Sequence, residues 1–251
     1  MPHIIRSSIT RFGYAALTNG FRLPSSKIAS DYKQWSHLLD LIRRLKINVF
    51  LDVGANRGFF SKHLRMVGYR GMLISFEPVP DDIEHIRHLA ADDNKWIVCN
   101  YALGSKTEIK QFHINDCNSE SVLSSFLPLK ESIGQNRSAS IQIRRLDEVL
   151  PKLLGDLVSP RIFLKMDTQG FDNQVISGAG NLLDQVMGVQ SELSVVPLYE
   201  GMEHYTDSLA NYEGLGFSLM NLFVVSRAKN GQIVEYDCIM ARANEIDRKP
   251  I

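Results

Sequence analysis

Four positions early in the chain have the types and spacing that a nucleotide site needs. Asp52, Gly54 and Gly58 fall within "FLDVGANRGFFS", and Glu77 closes "MLISFE" 19 residues after Gly58. A glycine turn directly after a strand lets the backbone come close to a ligand, while the first turn of the next helix offers unpaired N–H groups to a carboxylate or phosphate. An acid ending the following strand can accept both hydroxyls of an adenosine ribose. The turn reads GxxxG, "GANRG" with Asn56 at its centre, and not the GxGxxG that seats a dinucleotide pyrophosphate. With Asp52 just ahead of it, such a turn suits a ligand carrying both an ammonium and a carboxylate. The methionine moiety of S-adenosylmethionine is such a zwitterion.

A second group lies in "FLKMDTQGFD". In a strand, Phe163, Lys165 and Asp167 project to one side and Leu164 and Met166 to the other, so Lys165 and Asp167 can meet at the carboxyl end. Open α/β sheets bind ligands at that edge. Asp167 suits a hydrogen-bond acceptor, a general base or a metal ligand; the plainer alternative is an ion pair with Lys165 and a capping role before Gly170. Glu192, near the end of the next strand, either completes an acceptor pocket or is a peripheral acid. His204, in "LYEGMEHY", has the pKa range of a base at neutral pH and is otherwise a loop histidine. Asp167, Asp172 and Glu192 are oxygen ligands of the kind Mg²⁺ accepts, yet nothing in their spacing demands a metal. His85 and His88 share the polar side of a helix and read as solvated surface, and Trp35 and Trp96 read as core.

The elements that must position these residues follow from pattern. The chain has 251 residues, 44% of them apolar and 22% charged, which suits one globular domain with a sizeable core. Lys plus Arg equal Asp plus Glu at 28 each, so no overall field recruits nucleic acid or an anionic membrane. Cys99, Cys117 and Cys238 are far apart with no CxxC pair and read as free thiols, which points to the cytoplasm. No signal peptide and no membrane span is expected. Residues 1–48 form an N-terminal helical extension, in which Trp35, Leu38, Leu39, Ile42 and Leu45 recur at helical spacing. From residue 49 strands and helices alternate as βαβ units: strands at 49–53, 72–77 and 96–100, then at 161–167 and 188–195. That rhythm implies a doubly wound, mostly parallel α/β domain over 49–251. Residues 104–146 break it with two strand-like runs, "EIKQFHIN" and "ASIQIRRL", around a Ser- and Asn-rich stretch. This is expected as an insertion or lid, with 115–140 covering the acceptor side. The last two runs, joined through Asn230-Gly231, predict an antiparallel hairpin.

Taken in order, "FLDVGANRGFFS", "SFEPVP", "YALGS", "RRLDEVL", "LKMDTQGFDNQVISGAG" and "SELSVVPLYEG" resemble FkbM-type S-adenosylmethionine-dependent methyltransferases over about residues 30–242. The resemblance implies a class I methyltransferase sheet of seven strands ending in an antiparallel hairpin. It further implies O-methylation of a hydroxyl on a sugar, glycolipid or polyketide-like acceptor, a small molecule or glycan and not a nucleic acid. The expected cofactor contacts are Asp52, Gly54, Asn56, Gly58, Glu77 and Asp167, with Asp167 and His204 as the catalytic candidates. Gln169 departs from the pattern, since many members look like "DVEG" where this chain has "DTQG"; any role of that carboxylate does not carry over. The competing readings are an NAD-dependent oxidoreductase, which lacks its GxGxxG here, and a non-catalytic nucleotide-binding module.

Overall fold

The computed structural model describes residues 27–116, 124–130 and 135–246. The chain divides into two compact units, residues 1–38 and 39–251. The described part of the first unit is the start of helix α1 (Lys27–Arg44). The end of that helix belongs to the second unit, where it buries Leu41 and Ile42.

The second unit is built on a seven-stranded sheet. Its first half runs β1 (Val49–Val53), α2 (Phe59–Met66), β2 (Met72–Phe76), α3 (Pro80–Ala90) and β3 (Trp96–Cys99). After a short strand β4 (Ala102–Leu103) come β5 (Glu108–Asp116), β6 (Gln135–Arg144) and α4 (Leu146–Leu154). The main sheet then resumes with β7 (Ile162–Met166), α5 (Asp172–Ser177), β8 (Val186–Ser194), α6 (Tyr205–Gly214), β9 (Phe217–Arg227) and β10 (Ile233–Arg242). Strand order is β3-β2-β1-β7-β8-β10-β9, with β10 antiparallel to both β8 and β9. The mostly parallel sheet and closing hairpin expected from the sequence are therefore both present. Trp96 is buried, as expected, and its indole N–H donates to Ser75 Oγ at 2.9 Å.

Every residue of β1 and β7 is buried, because central parallel strands are covered on both faces and read as continuous apolar runs. Asp52 and Lys165 interrupt those runs, and they stand directly opposite each other in the β1–β7 register. Glu77 and Asp167 each lie one residue beyond their strands, β2 and β7, so both side chains sit at the carboxyl edge of the sheet.

The two strand-like runs of the middle segment pair antiparallel as β5 and β6. They form a separate three-stranded sheet with β4, a two-residue strand that the sequence pattern does not announce. Phe112, Ile114, Ile141 and Ile143 from this small sheet pack with Phe126 and Phe171 into a second apolar core. Of the expected cover at 115–140, residues 117–123, including Cys117, and 131–134 lie outside the described residues. Cys99 and Cys238 are free and buried. Among the described residues no helix is long and apolar enough to cross a membrane.

Candidate functional site at the carboxyl edge of the sheet

The strand order reverses at β1: β2 and β3 lie to one side of it, β7 and β8 to the other. A crevice opens outside the carboxyl ends of the strands at such a point. Here the chain leaving β1 and the chain leaving β7 touch. The Asp167 amide donates to Val53 O at 3.0 Å, and a Cβ placed on Gly54 would lie 2.1 Å from the Asp167 carbonyl oxygen. Gly54 also has φ +71°, so both its conformation and its missing side chain are required.

The turn that follows does something other than the sequence suggests. Its amides were expected to meet a ligand carboxylate, but the protein itself uses all of them. Gly54 N and Ala55 N donate to Phe76 O at 3.0 and 3.1 Å, and Gly58 N donates to Ala55 O at 2.8 Å. Arg57 N donates to Asn56 Oδ1 at 2.7 Å, and Asn56 N donates to Glu77 Oε2 at 2.7 Å. Asn56 sits at φ +48°, a left-handed conformation that asparagine tolerates better than most side chains. The turn thus holds Glu77. Val79 N donates to the other oxygen, Oε1, at 2.9 Å. Burial pushes the Glu77 carboxyl up to about 8, against the lowering effect of those two backbone donors. A carboxylate accepts about four hydrogen bonds, so two acceptor directions remain for a vicinal diol. His85, expected on the solvated surface, helps brace the turn: its Nδ1 lies 2.7 Å from Arg57 O. His88 on the same helix is exposed.

Asp52 lies beneath the turn and does not line the cavity. It is fully buried, accepts a hydrogen bond from Ser61 Oγ at 2.6 Å and pairs with Lys165 Nζ at 3.1 Å. Lys165 also lies 3.5 Å from Asp167 Oδ2, so the expected Lys165–Asp167 pair exists but is the longer of two. Burial disfavours the lysine's charge, but attraction to Asp52 and Asp167 outweighs it, and its pKa is raised above the ordinary value. Lys165 therefore stays charged and ties the ends of β1 and β7 together. This bridge joins residues 113 positions apart and is invisible until the strand order is known.

A cavity of about 820 Å³, including its open mouth, lies over this edge. Gly54, Asn56 and Glu77 line it, and so do Asp167, Gln169 and Glu192. Phe112, Phe126 and Phe171 form an aromatic wall, with ring centroids 4.7 Å apart for the first two and 4.8 Å for the last two. Gly58 acts from behind: it starts α2 with φ +75° and packs against Ile86. In the same lining, Gln169 Nε2 donates to Asp167 Oδ1 at 3.2 Å and to Glu192 Oε2 at 2.7 Å. Its Oε1 accepts from the buried Tyr199 hydroxyl at 3.0 Å, which orients the amide. Burial, and then the negative charge of Asp167, raise the Glu192 pKa well above the carboxylate range.

Sequence reasoning did not find Tyr199 or the bridging role of Gln169. The segment that brings Tyr199 in follows β8 irregularly, without periodicity to flag it. Asp172 holds a structural position. It accepts hydrogen bonds from the amide and hydroxyl of Thr168 and from Ser191 Oγ, fixing the start of α5. Among the described residues, no group of three or more His, Cys, Asp or Glu is arranged to hold a metal ion. His204 precedes α6, its Nδ1 2.8 Å from Thr206 Oγ1, and it does not line the cavity.

Comparison with known proteins gives the following similarities. The Methyltransferase FkbM domain matches residues 52–219. Among solved structures, the chain is similar to methyltransferase FkbM from Methylobacillus flagellatus KT (14% identity, 76% of this chain and 43% of that one, TM-score 0.48). It is also similar to magnesium protoporphyrin IX methyltransferase from Synechocystis with bound S-adenosylmethionine (10% identity, 95% of each chain, TM-score 0.48). Aeropyrum pernix fibrillarin with natively bound S-adenosylmethionine is a third (11% identity, 77% of this chain and 66% of that one, TM-score 0.43). The chain thus spans less than half the length of the Methylobacillus protein. A search of curated proteins finds no match. The matched domain runs from Asp52 in β1 to Leu219 in β9, about two thirds of the sequence, and the chain belongs to the FkbM methyltransferase family.

Proposed function

We propose that the protein moves the methyl group of S-adenosylmethionine onto a hydroxyl of a small acceptor, a sugar, glycolipid or polyketide-like molecule. The observation that carries this reading is Glu77, a buried carboxyl held in the cavity lining by the amides of Asn56 and Val79. Its two remaining acceptor directions fit the vicinal hydroxyls of a ribose. The cofactor supplies a methyl group made electrophilic by its sulfonium. Asn56 and the Gly54 turn position Glu77, while the aromatic wall excludes water from the flat part of the ligand. Asp167, partly exposed in the lining of the same cavity, is where an acceptor hydroxyl would arrive and serves as the acceptor of its proton. Alignment of the reacting groups supplies much of the rate in such a transfer, and an alcohol gains further from a base because it is a poor nucleophile while protonated. His204 keeps its contact with Thr206 outside this cavity and takes no part in the step.

The test is calorimetry with S-adenosylmethionine and with NAD, followed by incubation of labelled cofactor with hydroxylated acceptors, with and without a chelator. The expected result is binding of S-adenosylmethionine alone and a methyl ether product. Binding of NAD in its place, or methylation only of nitrogen or carbon, overturns the reading. Lost activity restored by Mg²⁺ would make Asp167 a metal ligand first.

A further inference from the structure

Gln169 is an unusual residue to find between two acids. It is almost fully buried and its backbone has φ +52°, a conformation that costs a non-glycine side chain about 1–2 kcal/mol. Two contacts hold it in place. Ser125 Oγ donates to its carbonyl oxygen at 2.8 Å, and the Tyr199 hydroxyl donates to its side-chain Oε1 at 3.0 Å. With Oε1 accepting from Tyr199, the two N–H bonds of the amide point to Asp167 and Glu192. The opposite orientation would set an oxygen against both carboxyl groups. The amide nitrogen therefore fills the point between the carboxylates where a shared cation or a third acid would otherwise stand. All three residues line the cavity.

We propose that Asp167 and Glu192 act as one carboxyl pair that receives the acceptor's hydroxyl proton, and that Gln169 is the positioning residue that holds the pair together. This rests on the methyltransferase reading above. In the step, the acceptor's O–H bond breaks and its proton passes to the pair, while the new O–CH₃ bond forms as the S–CH₃ bond breaks, leaving neutral thioether. A pair shares one proton more readily than either acid alone, because two close carboxylates disfavour joint ionisation. The surroundings strengthen this. From β10 Asp237 and Glu235 act on Glu192, and from the start of α5 Asp172 does, all of them acids. Lys165 of β7 pairs with Asp167 and is shared with Asp52 of β1. The proton taken from the acceptor thereby settles on Glu192, the member without that cation beside it.

The test needs no known acceptor. Protein labelled with ¹³C at Asp and Glu carboxyl carbons is titrated by NMR, with Asp167→Asn and Glu192→Gln assigning the two signals. The expected result is two macroscopic steps at least one pH unit apart, each felt by both signals. Gln169→Met keeps the shape but removes the donors that favour the ionised forms, so the upper step should move up by at least half a pH unit. Independent single titrations, or an upper step unmoved in folded Gln169→Met, overturn the pair. Its catalytic part is read with labelled S-adenosylmethionine and a metabolite extract as acceptor pool. Glu192→Gln should lower turnover about a hundredfold, with the calorimetric Kd for cofactor within about threefold of the parent. A parental rate in Glu192→Gln overturns that part. Failure of the parent to bind cofactor overturns the methyltransferase reading instead, and the carboxyl titration separates the two.

Discussion

Replacing Gly54 by alanine tests whether the ends of β1 and β7 must touch for the site to exist. The added Cβ would lie 2.1 Å from the Asp167 carbonyl oxygen, and that atom is backbone, tied through the Asp167 amide to Val53 O. An ordinary contact begins near 3.4 Å, so the two strand ends must part by more than an ångström. The left-handed φ of +71° adds a conformational cost of about 1–2 kcal/mol, and overpacking a tight region adds roughly 1–3 kcal/mol. Together these predict a loss of about 2–5 kcal/mol in a denaturant titration. Because Asp167 moves with the strand end, S-adenosylmethionine affinity should fall at least tenfold in whatever fraction stays folded. Gly231→Ala is the control. It has φ +89° with nothing within 4 Å of the added carbon, so it should show the conformational cost alone and parental affinity. Equal stability losses in the two variants, or parental affinity in Gly54→Ala, would refute the reasoning.

Three further outcomes follow from the same geometry. Glu77 has its carboxyl pushed up to about 8, and only the ionised form accepts from both ribose hydroxyls. The ratio of parental to Glu77→Gln cofactor affinity should therefore rise about tenfold between roughly pH 7 and 9 and then level off. The ligand's own amino group titrates against both proteins and cancels in that ratio; a ratio independent of pH would count against Glu77 as the ribose acid. The same raised value makes the ligand-free fold bind a proton that the unfolded chain has lost, so stability should decline as pH rises from 4.5 to about 8, and Glu77→Gln should flatten that decline in thermal melts. Asp167→Asn keeps the shape and removes the charge, so turnover should drop about a hundredfold with little change in cofactor affinity, and a parental rate would rule it out as proton acceptor. His204→Ala should turn over within about twofold of the parent, since its side chain contacts Thr206 away from the cavity; a loss as large as that of Asp167→Asn would restore it as the base.

What could be read from the sequence was what is local along the chain. Strand, glycine turn, helix and second strand occupy 49–77 without interruption, and each carries its own pattern, so Gly54, Asn56 and Glu77 could be placed at one ligand edge beforehand. The direction of the turn's amides could not, because they are taken by Phe76 and Glu77, and that depends on the twist between β1 and β2. The Asp52–Lys165 bridge needs β7 beside β1, a reversal of strand order that no local pattern reports. Gln169 stood out only as an amide where an acid was expected. Its function as a bridge appears once β8 supplies Glu192 and the following irregular segment supplies Tyr199. The contact of half-exposed His85 was out of reach for a related reason: helix periodicity gives the polar face, and the carbonyl of Arg57 that meets it comes from the turn after β1.

The most direct test of the central claim is a calorimetric titration of S-adenosylmethionine into the parent protein and into folded Glu77→Ala. Hydrogen bonds to a charged group are worth about 1.5–3 kcal/mol, so the parent should bind at one site and the variant roughly ten- to a hundredfold more weakly. Absence of binding to the folded parent, or equal affinity in the two proteins, would contradict a cofactor site built around Glu77 at the carboxyl edge of β1 and β2.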